Sequence, residues 1–220
     1  MVNSWNPARY EAWYHTSRGR WISDCEFTLM RQLLNAGAGD SLLDVGCGTG
    51  HFSRRFDRLG LSVTGIDPDP KTLDFARQEG GEVAYLQGSA LELPFSDDSF
   101  DDTVAITSLC FINDPVLALQ EIWRATRGTC VIGMLNERSL LYREKHTHGS
   151  YRQAHWITPK ILRKEWIPAL SPSPRQVSIR SALFLPSGNG IARWVESWMP
   201  NRLPWGGFLV VRLTKNDEMP

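Results

Sequence analysis

Apolar residues along the chain fall into short runs separated by helical stripes. Leu42-Leu43-Asp44-Val45 reads as a buried strand. His51 to Leu59, with Phe52, Phe56 and Leu59 sharing a face, reads as the helix that follows it. The alternation repeats. Leu61 to Ile66 is a second run, and Lys71 to Glu79 is a helix led in by Pro68 and Pro70 and stopped by Gly80-Gly81. Val83 to Leu86, Thr103 to Thr107 and Thr129 to Leu135 are further strands. Thr103 to Thr107 holds only β-branched or small side chains, which suits a central parallel strand. Asp114 caps a helix with Pro115 at its first position, packed by Leu117, Leu119, Ile122 and Trp123. Upstream, Glu26 to Asn35 is amphipathic through Phe27, Met30, Leu33 and Leu34, and Gly37 and Gly39 stop it. Downstream, Thr158-Pro159 starts a helix through Leu162 and Trp166, and Val177 to Phe184 and Gly207 to Leu213 alternate as strands. Strand–helix alternation of this kind predicts an α/β fold with a doubly wound, mostly parallel sheet.

The turn after the first strand carries the chemistry. Gly46, Gly48 and Gly50 give G-x-G-x-G, whereas the dinucleotide fingerprint puts its third glycine where His51 stands. Asp44, just before the turn, would repel a pyrophosphate and suits a cationic amine. Asp67 ends the second apolar run, where a carboxylate can accept both hydroxyls of a ribose. A nicotinamide-dependent oxidoreductase is therefore the weaker reading.

At these residues the chain resembles the class I S-adenosylmethionine-dependent methyltransferases, in the quinone-biosynthesis-like, type 11 branch that acts on small molecules. Four stretches match in order: LLDVGCGTG, VTGIDPDP, GSALELPFSDDSFD, and a buried strand with its helix. The resemblance implies a seven-stranded Rossmann-like sheet with helices on both faces and its last strand antiparallel. It also implies S-adenosylmethionine as cofactor. On the motif positions, Asp44 and the turn with Gly46, Cys47, Gly48 and Gly50 hold the methionyl part. Asp67 and Pro68 take the ribose, Ser89 and Ala90 line the adenine, and Thr107 borders the sulfur. The family usually has Asp where Ser89 stands, so the adenine contact here lacks charge assistance. Many relatives carry a His-rich stretch after the fourth strand. Ser108 to Ile112 is apolar instead and offers no base. The implied reaction is displacement at a sulfonium methyl carbon with a neutral thioether leaving, which needs alignment more than acid catalysis. No catalytic residue is readable. A protein that binds the cofactor without transferring methyl stays open as the alternative.

The flanks point to the substrate side. Trp5, Tyr10, Trp13, Tyr14 and Trp21 lie among Arg9, Arg18 and Arg20, with Gly19 expected to interrupt their helical face. This segment is either a flap over the ligand or an aromatic cap on the core. Asn136 to Trp156 holds Arg138, Arg143, Lys145, His146, His148, Arg152 and His155, either as a basic lid or as a solvated loop. Tyr10, Trp13, Tyr14, His146 and His155 are the substrate-side candidates. Leu185 to Trp205 is an insertion with Ile191, Trp194, Val195 and Trp198 at helical spacing. It could cover an apolar substrate, form a homodimer face or pack on the sheet edge. Residues 1–220 are expected to form one domain, with an N-terminal cap over 1–40, a cofactor core over 41–136 and a substrate-side part over 137–220.

Composition narrows the partners. The 24 basic and 24 acidic residues balance, so no broad field for nucleic acid is expected. The four cysteines, Cys25, Cys47, Cys110 and Cys130, have no metal-ligand spacing and read as buried thiols. No apolar run reaches 18 residues and no signal peptide is visible, so the expected setting is the cytoplasm, with a small-molecule substrate and no membrane span.

Overall fold

The computed structural model describes residues 6–34 and 36–215. Trp5, the expected helix end at Asn35 and the tail beyond Lys215 lie outside the described residues. The strands are β1 (Ser41–Val45), β2 (Ser62–Asp67), β3 (Ala84–Gln87), β4 (Phe100–Ile106), β5 (Thr126–Leu135), β6 (Gln176–Ala182) and β7 (Phe208–Thr214). They form one sheet in the order β3-β2-β1-β4-β5-β7-β6. The first five pair in parallel, and β7 runs antiparallel between β5 and β6. This is the expected mostly parallel seven-stranded sheet with its last strand antiparallel.

Alternate residues of the strands feed two cores. Leu42, Val104, Val131 and Val210 pack with Phe27 and Met30 of α2 (Ser17–Leu34) and with Phe52 and Phe56 of α3 (His51–Asp57). Leu43, Ala105, Ile132 and Leu209 pack with Ile122 and Trp123 of α5 (Pro115–Ala125). The remaining helices are α1 (Pro7–Tyr14), α4 (Pro70–Gln78), α6 (Leu140–Lys145), α7 (Pro159–Ile161, continued by a π turn over Leu162–Trp166) and α8 (Gly190–Trp198). Local chemistry explains their starts. Asn6, Asp69, Asp114, Ser139, Thr158 and Asn189 each accept a backbone N–H in the first turn, and four of these helices place Pro in that turn.

Several expectations need correction. Gly19 does not interrupt a helix but sits in the first turn of α2, where its N–H donates to Thr16 Oγ1. A β-carbon there would lie 2.0 Å from the Trp13 carbonyl oxygen, so glycine lets α1 and α2 meet closely. Leu59 and Leu117 do not pack; each is 40% exposed. The basic stretch after β5 is not an irregular loop, since it forms α6 and a 3₁₀ turn over Gly149–Gln153. In α8 the apolar stripe faces outward rather than onto the sheet edge, with Trp194 65% and Trp198 73% exposed. Glu196 on its other side accepts the N–H groups of Leu183 and Phe184, which ties α8 to the end of β6.

Candidate functional site

The site forms where β1, β2 and β4 end. After Val45 the chain turns so that Gly46 and Cys47 both donate to the Ile66 carbonyl of β2, at 2.7 and 3.1 Å. All three glycines of the turn take positive φ, at 73°, 54° and 74°. Their surroundings differ. A β-carbon on Gly46 would lie 2.3 Å from Ser108 Cβ, and one on Gly50 would lie 2.1 Å from the Tyr85 hydroxyl. One on Gly48 would meet nothing within 4 Å. The outer glycines serve packing, and the middle one leaves the backbone open to a ligand. Thr107, just after β4, is held at φ 57°, an uncommon state for a β-branched residue. That bend delivers Ser108, whose hydroxyl donates to the Val45 carbonyl at 2.7 Å.

A cavity of about 950 Å³ opens above this corner. Nine of the ten expected cofactor residues line it: Asp44, Gly46, Cys47, Gly48, Asp67, Pro68, Ser89, Ala90 and Thr107. Gly50 is not among them. Asp44 is buried, accepts the Ser53 hydroxyl at 2.6 Å and has no cationic partner among the described residues. Burial pushes its carboxyl up to about 7, the charge of Asp67 adds to the rise, and the Ser53 bond opposes it. Asp67 accepts the N–H groups of Gly48 and Asp69, each at 3.0 Å, and burial raises it as well. Each Asp67 oxygen keeps a lone pair for a further donor. Ser89 Oγ accepts the Leu91 N–H at 3.1 Å, which leaves it one acceptor site. A buried carboxylate short of a cation, beside an open backbone turn and a half-used second carboxylate, fits an amino-acid nucleoside.

Much of the remaining cavity lining is aromatic and apolar. Tyr10, Trp13 and Tyr14 of α1 belong to it with Phe111, Leu141 and Phe208. The Tyr10 and Tyr14 hydroxyls are 2.8 Å apart, and the Tyr14 ring stacks on His51 with centroids 3.7 Å apart. His146 and His155 are not lining residues. His146 turns back to stack on Tyr142, with Nδ1 at 2.7 Å from that residue's carbonyl, and His155 is exposed. Lys145, His148 and Tyr151 from the same stretch reach the cavity instead. The segment does overhang the site, but α6 and the following turn present different side chains than spacing suggested. Among the described residues no group of His, Cys, Asp and Glu could hold a metal. Among the same residues no helix is long and apolar enough to cross a membrane.

Residues 43–132 match a family model described as a methyltransferase domain. A solved S-adenosylmethionine-dependent methyltransferase from Thermotoga maritima, described as a possible histamine N-methyltransferase, superposes with a TM-score of 0.75 at 27% identity, covering 95% of this chain and 96% of that one. Residues 43–132 are thus a methyltransferase domain of the class I S-adenosylmethionine-dependent type. Curated relatives include an uncharacterized protein of Mycobacterium tuberculosis, 35% identical over 71% of this chain and 55% of its own length. A malonyl-[acyl-carrier protein] O-methyltransferase of Pectobacterium atrosepticum is 36% identical over 59% of this chain and 53% of its own. The chain thus spans about half the length of the curated relatives it matches.

The aromatic segment is pinned to the glycine turn by residues the pattern did not single out. Glu11 of α1 is buried and accepts the Thr49 hydroxyl at 2.6 Å and Arg54 Nη2 at 2.7 Å. His51 Nδ1 lies 3.3 Å away, while Arg54 Nη1 donates to the Thr49 carbonyl. In sequence Glu11 looks like any helix-surface carboxylate. Its burial depends on α3, some forty residues on, so local spacing carries no signal for it.

Proposed function

We propose that this methyltransferase moves the sulfonium methyl of S-adenosylmethionine to a small acceptor held among the aromatic side chains of α1. The observation that carries this is one continuous cavity lined both by two carboxylates and an open glycine and by Tyr10, Trp13 and Tyr14. Asp44 would meet the methionyl ammonium, Asp67 the ribose hydroxyls, and Ser89 and Ala90 the adenine. Thr107 would border the sulfur. The cofactor supplies an activated methyl on a neutral leaving group. The chain then has only to align the acceptor and exclude water, a task for the side chains of α1 and α6 that line the cavity. The proteins similar to it differ in the acceptor atom that their descriptions name, nitrogen in one and oxygen in another. The balance of charge favours a small molecule over nucleic acid. Because all seven strands join one sheet, we read residues 1–220 as one methyltransferase domain.

Calorimetric titration is expected to give tight S-adenosylhomocysteine binding and none for NADH. Asp67→Ala should weaken that binding tenfold or more, since charge-assisted hydrogen bonds contribute about 1.5–3 kcal/mol. Equal affinity in the variant would remove the ribose assignment. Labelled methyl transferred into a small-molecule fraction of cell extract separates an enzyme from a protein that only holds the cofactor.

Asp44 sets a pH dependence. Its proton must leave before an ammonium can pair with it. Affinity for S-adenosylhomocysteine should therefore be flat above pH 7 and fall toward tenfold per pH unit below it. In the free protein the sign is reversed: stability from the protonated group is complete below about pH 4 and lost as pH rises through 7. Titrations from pH 5.5 to 8 check the first statement, and Asp44→Asn should bind more weakly with no such slope.

A further inference from the structure

One carboxylate in the cavity is used by none of the cofactor roles above. Arg18, Ile22 and Glu26 stand four residues apart on α2, so they share one face of the helix, and all three line the cavity. Arg18 is committed, with Nε and Nη2 both donating to the Pro186 carbonyl at 2.9 and 2.7 Å. Glu26 is not. Among the described residues it has no hydrogen bond and no ion pair. It lies close enough to the hydroxyls of Tyr10, Tyr14 and Tyr151 to act on them electrostatically. The cation that acts on it is Arg55, which is already engaged by Asp24 at 2.8 Å and by the Ser23 hydroxyl at 2.8 Å. Lys145 and His148 also line the cavity, from the segment after β5.

An unpartnered carboxylate among aromatic rings costs stability. Such a cost is held at sites where a ligand supplies the missing partner. A partner that is cationic and donates protons would draw this group into its ionised form, which only accepts. Tyr10, Trp13 and Tyr151 also line the cavity, and aromatic rings attract a cation. We propose that Glu26 is the acceptor-recognition residue, and that the acceptor is a small aromatic amine whose nitrogen docks on this carboxylate. This rests on the methyl-transfer reading and narrows it to nitrogen.

The chemistry balances. The ammonium of the bound amine gives one proton to the Glu26 carboxylate and becomes a free amine. Its lone pair forms the nitrogen–carbon bond as the carbon–sulfur bond breaks. The electron pair of that bond stays on sulfur, and the positive charge moves to the methylated nitrogen. Burial pushes the Glu26 carboxyl up to about 8, against the charge of Arg55, which brings it toward an amine's own range and suits it to hold that proton.

The test uses the full chain with S-adenosylhomocysteine bound, and 2-phenylethylamine and tryptamine as probes beside 3-phenylpropionate and indole-3-propionate. The amines are expected to raise the melting temperature of the complex and the acids to leave it unchanged. Glu26→Gln should remove the amine effect while binding S-adenosylhomocysteine within twofold of the parent. In methyl-transfer assays the same variant should lose at least a hundredfold in kcat/KM for the amines. Equal response to amines and acids, no response to either, or an unchanged amine response in Glu26→Gln would each overturn the proposal. Failure of the parent chain to bind S-adenosylhomocysteine would instead overturn the underlying methyl-transfer reading.

Discussion

Gly46→Ala is expected to abolish measurable cofactor binding and to destabilise the fold by roughly 2–5 kcal/mol. Two costs add. A residue with a β-carbon at φ 73° loses about 1–2 kcal/mol, and forcing a methyl into packed space loses about 1–3 kcal/mol more. The second cost cannot be relaxed cheaply here. The obstructing atom, Ser108 Cβ, is fixed by the Ser108 hydroxyl bond to Val45 and by the bend at Thr107. Denaturant titration checks the size of the loss. Adding Ser108→Gly should recover the packing part, and no recovery would show that the clash is not the cause. Gly48→Ala is the contrast. With open space around it, stability should fall only by the backbone cost, while cofactor affinity falls because the new methyl occupies ligand volume.

Glu11→Ala is expected to destabilise the protein by about 3–5 kcal/mol, the range for stranding a buried charge. Arg54 and Glu11 have side chains only 7% exposed, and alanine takes away the carboxylate that pairs with the guanidinium. Burial pushes the Glu11 carboxyl upward, but hydrogen bonds from His51 and Thr49 and the charge of Arg54 outweigh it and leave the group below its ordinary value. Its contribution is therefore present above about pH 4 and lost as pH falls through that lowered value. The gap between parent and variant should accordingly narrow in acid. Proteolysis within Pro7–Tyr14 should rise in the variant at neutral pH, because α1 would lose its tether to the glycine turn. Undiminished stability at pH 7 would rule out a structural ion pair.

What could be read from the chain depended on how local each feature is. The turn from Gly46 to Gly50, Asp44 and Asp67 lie within one strand–helix–strand unit, where backbone geometry leaves few choices, and nine expected cofactor residues line the cavity. The strands followed from apolar runs, whereas the seven-stranded arrangement with its antiparallel last strand followed from the family resemblance. His146 and His155 are off the cavity lining because α6 and the 3₁₀ turn after it decide which side chains of the basic stretch face inward, and spacing alone does not locate those turns. Glu11 and Glu26 passed unnoticed because their environments are assembled from α3 and from residues near position 151. The stripe on α8 was read correctly as helical, and of the three placements open to it the structure excludes packing on the sheet edge. Periodicity reveals that a face exists but not what it meets.

Tryptophans in opposite settings also make the protein its own optical gauge. Trp194 and Trp198 stand in water on α8, while Trp13 looks into the cavity and Trp123 is sealed in the core. Indole emission shifts with polarity, so the water-facing pair provides a constant long-wavelength background. A spectral change on ligand addition then reports chiefly from Trp13, without any attached dye.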